Sequence, residues 1–145
     1  MVPSKRFQPV KRVAESRESD AARELGHSQK RMRDQEAKLE DLKRYHQEYL
    51  ERFETTARQG MSASQMQEYR VFLEKLDTAI REQEKVVLAS KSECVTRKEQ
   101  WQQKRVRTQA LSKVMDRFKS AELKVQEKRE QDEADERSQR GPRKS

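Results

Sequence analysis

A chain of 145 residues in which 41% are charged and only 31% hydrophobic cannot fill a thick globular core, but it can line a single helix–helix seam. The net charge of +8 permits contact with acidic partners or nucleic acid and establishes neither. The lone Cys94 excludes an internal disulfide and suits a reducing cytoplasm, and no apolar run approaches the length of a membrane span.

Residues 1–9 hold Pro3 and Pro9 among basic residues and lack the apolar stretch of a secretory signal. They are expected to form an N-terminal extension to one antiparallel coiled-coil domain over 10–140. A first helix is predicted over about 10–59, on the order of 75 Å long at the rise of an α-helix. Its heptad series runs Leu25, Ser28, Met32, Gln35, Leu39, Leu42, His46, Tyr49 and Phe53 in alternating steps of three and four. Gly26 should weaken this helix locally by about 1 kcal/mol, and Gly60 supplies its stop. A turn is expected at 60–61. Ser62 followed by Gln65 then matches a capping box opening a second helix over about 62–140, roughly 120 Å long. The second seam runs Met66, Tyr69, Leu73, Leu76, Ile80, Gln83, Val87, Ser90, Cys94, Arg97, Trp101, Lys104, Thr108, Leu111, Met115, Phe118, Glu122 and Val125. Gly141-Pro142 ends that helix, leaving 141–145 as a disordered basic tail.

Two seams joined by a short turn predict an all-α fold, a long two-helix antiparallel coiled-coil hairpin. Pairing residues whose numbers add to 122 puts Met61 at the turn centre; heptad phase alone also allows sums of 115 or 129, one layer of slip, which move the turn off Gly60-Met61. The sum of 122 sets Tyr49 opposite Leu73, His46 opposite Leu76, Leu42 opposite Ile80, Leu39 opposite Gln83, Leu25 opposite Arg97 and Ala21 opposite Trp101. Polar members of these layers, Gln35, His46, Gln83, Ser90, Arg97 and Lys104, fix register at a cost in stability. In this register the first helix is exhausted near Lys11, opposite Leu111. Met115, Phe118 and Val125 are then expected to form an apolar stripe with no intramolecular partner.

Catalysis finds no foothold in this pattern. There is no Gly-rich phosphate loop, and His and Cys are too few for a zinc site or a Cys–His pair, so neither enzyme activity nor a metal or cofactor is expected. His46 reads as a packed seam residue and Cys94 as a small apolar filler. Apolar residues off the seam are more informative. With Leu39 and Leu73 as a positions, Tyr45, Phe72 and Ala79 are g positions beside the d positions Leu42, Tyr49 and Leu76. In an antiparallel pair these edges lie on one side, so the six residues converge on one flank. The opposite flank, Lys43, Leu50, Arg70, Asp77, Glu84 and Lys91, is nearly all charged. That asymmetry is not needed to hold two helices together, and it predicts a partner-binding face near the turn. A competing class, a basic coiled coil that binds nucleic acid, predicts affinity falling steeply with salt.

The ordered set Asp20-Ala21-Ala22-Arg23, Tyr45…Glu48-Tyr49, Gly60…Ser62, Tyr69…Phe72…Leu76…Ala79-Ile80, Trp101…Lys104-Arg105 and Asp135-Glu136 resembles the FliJ family, the coiled-coil proteins of the flagellar type III export apparatus. The resemblance implies an antiparallel coiled coil similar to the central stalk of rotary ATPases. By the same resemblance the chain is a monomer acting as a non-catalytic coupling rod and chaperone for export. It inserts into the hexameric ring of the export ATPase FliI, binds the export gate protein FlhA, and handles export chaperones. It is cytoplasmic and peripheral to the inner face of the cell membrane, with no nucleic acid expected. The gate-binding surface maps to Leu42, Tyr45, Tyr49, Phe72, Leu76 and Ala79, with Lys38 and Gln83 flanking it. Binding to the ATPase ring maps to Arg17, Ala21, Arg23, Leu25, Met115, Phe118 and Val125. The equivalent stalk of a virulence-type secretion system shares this architecture and remains the alternative on sequence alone.

Overall fold

Gly60 turns the chain through a left-handed backbone conformation, φ 107°, that side-chain-bearing residues rarely adopt. In the computed structural model, which describes residues 2–141, this turn joins helix α1, Pro3–Gln59, to helix α2, Ala63–Gln139. The two pack against each other as an antiparallel helical hairpin, and no strand occurs among the described residues. The Gly60 N–H reaches back to the Ala57 carbonyl at 3.3 Å, closing α1. The start of α2 is held reciprocally: the Gln65 N–H donates to Ser62 Oγ at 3.1 Å, and the Ser62 N–H donates to Gln65 Oε1 at 3.2 Å. Two of the orphan donors at the helix start are thereby satisfied.

Contacts group the chain into two units, a turn unit, Ala21–Gln100, and a terminal unit made of Met1–Asp20 with Trp101–Ser145. In the turn unit every seam position named from the heptads is buried or half-buried. Cross-helix pairs there include Phe53 with Tyr69 and Tyr49 with Phe72, whose numbers add to 122 and 121. In the terminal unit the Thr108 hydroxyl donates to the Ala14 carbonyl at 3.3 Å, again on a sum of 122. These pairs keep the register that places Met61 at the turn, while nearer the start of α1 the pairs Phe7–Phe118 and Ser4–Glu122 add to 125 and 126.

The start of α1 departs from expectation. Residues 3–9 are not an extension: α1 begins at Pro3, about seven residues earlier than predicted. Pro3 occupies the first helical position, where its missing N–H costs nothing, and the Val2 carbonyl accepts the Lys5 and Arg6 N–H groups at 3.1 and 3.3 Å. Pro9 lies inside the helix and cannot bond the Lys5 carbonyl. Contacts with α2 offset that loss. The Ser4 N–H and hydroxyl both donate to the Glu122 carboxylate, at 2.9 and 2.7 Å, and Phe7 meets Phe118 edge-on at 5.6 Å. At its other end α2 stops at Gln139, one residue short of expectation, and residues 142–145 of the expected basic tail lie outside the described residues.

Candidate functional site

Five rings gather on one side of the turn unit. Tyr45 and Tyr49 stand one helical turn apart on α1, so their side chains point to the same face. Tyr49 packs on Phe72 at 4.3 Å and on Tyr69 at 5.1 Å, Tyr45 meets Phe72 edge-on at 6.0 Å, and Phe53 reaches Tyr69 at 5.5 Å. The flank predicted from helical geometry thus has its three aromatic members in mutual contact. Its members differ in depth. Tyr45 is 45% exposed, Leu42, Tyr49, Phe72 and Ala79 are half-buried, and Leu76 is buried beneath the surface. Lys38 is exposed.

Gln83 occupies a different environment from Lys38. It is 6% exposed, and its amide nitrogen donates to the Gln35 carbonyl at 3.0 Å and to Gln35 Oε1 at 2.7 Å. A d position points into the seam, so its polar end is spent on α1, and the side chain is not available at the surface of the flank. The pairing lies one layer from the Leu39–Gln83 layer expected from the register. Tyr69 and Phe53 are the members of the aromatic group that the surface assignment omits. Both lay in the heptad series, where their ring character was the available signal. A shallow hollow of about 280 Å³ between Gln67, Glu68, Val71, Phe72 and Lys75 extends the apolar surface onto the outer side of α2. Val71 falls outside the heptad edges, so no spacing pointed to it.

The opposite flank carries ion pairs. His46 Nε2 lies 3.0 Å from an Asp77 carboxylate oxygen, and Lys91 lies 3.7 Å from Glu36. Farther from the turn Arg31 reaches Glu93 at 2.6 Å and Arg97 reaches Glu24 at 2.8 Å. Pairs this exposed contribute about 1 kcal/mol or less each. They orient the helices more than they stabilise them.

The residues mapped to the ATPase ring are divided between the units. Ala21, Arg23 and Leu25 belong to the turn unit; Arg17, Met115, Phe118 and Val125 belong to the terminal unit. Arg17 and Arg23 are exposed, and Ala21 and Leu25 are half-buried. The expectation of an unpartnered stripe on α2 is corrected. Met115 is 2% exposed and Phe118 is half-buried with its ring edge-on to Phe7, because α1 continues past Lys11 to Pro3. Of that stripe only Val125, 52% exposed, stays open. The Glu122 carboxyl in the same unit is held below its ordinary value by the Ser4 hydroxyl and then the Ser4 N–H, with smaller help from Lys119 and Lys5. Hydrogen bonds donated to a carboxylate favour its charged form.

Among the described residues no group of three or more His, Cys, Asp or Glu side chains is placed to hold a metal ion, and no helix is long and apolar enough to cross a membrane.

Residues 3–145 match the family described as "Flagellar FliJ protein". The chain belongs to the FliJ family. A "Flagellar FliJ protein" of Salmonella typhi is 30% identical over 142 residues, covering 92% of this chain and 91% of that protein. No solved structure matches. The FliJ match starts at Pro3, the residue where α1 starts, so it takes in the turns anchored by Ser4 and Phe7.

Proposed function

We propose that this FliJ-family chain serves flagellar protein export as a coupling element without catalysis of its own. In this reading the aromatic flank of the turn unit docks on the export gate protein FlhA, and the terminal unit engages the ring of the export ATPase FliI. The export role follows from the family to which the chain belongs. The division of labour is supported by one observation above others: Tyr45 stands half out of the surface on a platform of Tyr49 and Phe72. Tyrosines anchored in this way are typical binding hot spots, because they offer a large rigid ring at little entropic cost. Through the gate the chain would sit peripherally at the membrane, and handling of export chaperones belongs to the same proposal.

The test compares the full-length chain with its Tyr45→Ala variant for binding to purified gate protein and to purified ATPase. The substitution should weaken gate binding by about 30-fold, a hot-spot-sized loss of about 2 kcal/mol, and leave ATPase binding unchanged. A folded variant with undiminished gate affinity would remove the flank from the proposal.

A further inference from the structure

Two hollows adjoin where α1 begins, with Pro3 and Phe118 lining both. The larger, about 600 Å³, is lined by Val2, Pro3, Phe118, Ala121, Val125 and Arg129, with Glu122 and Gln126 completing it. The smaller, about 230 Å³, is lined by Pro3, Arg6, Phe7 and Phe118. Both have apolar floors, and both belong to the terminal unit. Val2 and Val125 remain about half exposed at the mouth of the larger one. From Leu123 onward every described residue of α2 is exposed, so no described residue covers this end.

The charges around the hollows are unevenly satisfied. Glu122, the carboxylate in the larger hollow, already accepts two hydrogen bonds from Ser4. Arg6 and Arg129, one in each hollow, carry no ion pair with a described residue, unlike Arg31, Arg44 and Arg97 in the turn unit. An arginine beside apolar carbon and without a carboxylate partner is a ready half of a bidentate pair. The complementary group is an apolar side chain with an acidic residue next to it.

We propose that these two hollows anchor the terminal unit to its partner. Each takes one apolar side chain, and a neighbouring partner carboxylate pairs with Arg129 in the larger hollow and Arg6 in the smaller. This rests on the reading that the terminal unit engages the ATPase ring, and it assigns acidic–apolar segments of that ring as the occupant. Arg6, Arg129, Val2 and Pro3 thereby join Phe118 and Val125 as contact residues.

The experiment measures binding of the full-length chain to purified export ATPase at low and moderate salt. It uses wild type, Arg6→Glu with Arg129→Glu, and the milder Arg6→Gln with Arg129→Gln in case charge reversal disturbs α1. The double reversal should weaken binding at least tenfold at low salt, with the gap narrowing as salt screens the pairs, while gate binding and helical circular dichroism stay unchanged. Val125→Asp should weaken ring binding by a similar factor. Wild-type binding to the ring with no loss in either double variant or in Val125→Asp overturns the hollows and leaves the ring reading standing. Absence of ring binding by wild type overturns both. Tight binding of duplex DNA, abolished by the same variants, would assign the arginines to nucleic acid and also overturn the inference.

Discussion

Tyr45→Ala and Leu76→Ala alter two residues of the same flank, yet the second should cost about 2 kcal/mol more folding stability than the first. Tyr45 keeps 45% of its surface in water. Half of the value for a fully buried large side chain is about 1 kcal/mol. Loss of the edge contact with Phe72, 6.0 Å away with the rings 80° apart, adds about 0.5–1 kcal/mol. Alanine returns about 0.5 kcal/mol through its better helix propensity. The net cost is therefore about 1–1.5 kcal/mol. Leu76 is only 7% exposed, and truncating a buried leucine costs about 2–5 kcal/mol through lost burial and the cavity left behind. A central value near 3 kcal/mol leaves a gap of about 2, or roughly thirtyfold in the folded-to-unfolded ratio. Urea unfolding of the full-length variants, followed by far-ultraviolet circular dichroism and compared at equal slope, measures both. Equal costs, or a loss above about 3 kcal/mol for Tyr45→Ala, would mean that its ring is core and that the docking argument built on it fails.

The two interior glycines should respond to alanine with opposite signs, although an added Cβ meets nothing within 4 Å at either. Gly26→Ala, inside α1, should stabilise by about 1 kcal/mol. Gly60→Ala should destabilise by about 1–2 kcal/mol because its φ of 107° opposes a side chain; melting temperatures that move the same way would refute this. Glu122→Gln should destabilise at neutral pH, most visibly in faster amide exchange over residues 4–8. The Glu122 pKa is lowered on folding from its ordinary 4.5, so the carboxylate's contribution is full above that value and disappears as pH falls through the lowered one. A difference between wild type and variant that persists unchanged in strong acid would contradict the role given to the charge.

Local rules made the turn and both seams legible. Gly60 and the Ser62–Gln65 pair act on their own backbone neighbours, so their roles needed no tertiary information. The heptads worked because burial in a two-helix pair depends on which side of each helix a residue occupies. Of the positions read onto the two seams, only Val125 came out exposed. The start of α1 was the main departure. Pro3 and Pro9 argued locally against helix, while the same three-and-four spacing in fact continues back through Ala21, Glu18, Ala14, Lys11 and Phe7 to Ser4, none of them exposed. That periodicity was present to be followed. Its competitor was proline chemistry, and the contacts of Ser4 and Phe7 with α2 decided between them.

Depth at the candidate surfaces was less legible, because a heptad letter gives direction and not exposure. Leu76 and Tyr45 were assigned to one flank, yet one lies under it and the other stands out of it. Gln83 was read both as a seam residue and as a neighbour of the docking surface, and only the position of Gln35 across the seam shows where its amide is used. The sequence alone determined the turn, the two seams and the register beside the turn, since these follow from spacing and from backbone conformations that few residues permit. The tertiary structure decided which aromatic ring meets water, whether α1 could run through Pro9, and that Phe7 meets Phe118 edge-on. The last two depend on groups more than a hundred residues apart, Ser4 with Glu122 and Phe7 with Phe118, and the first on rings 27 residues apart across the turn, contacts that no short stretch of sequence records.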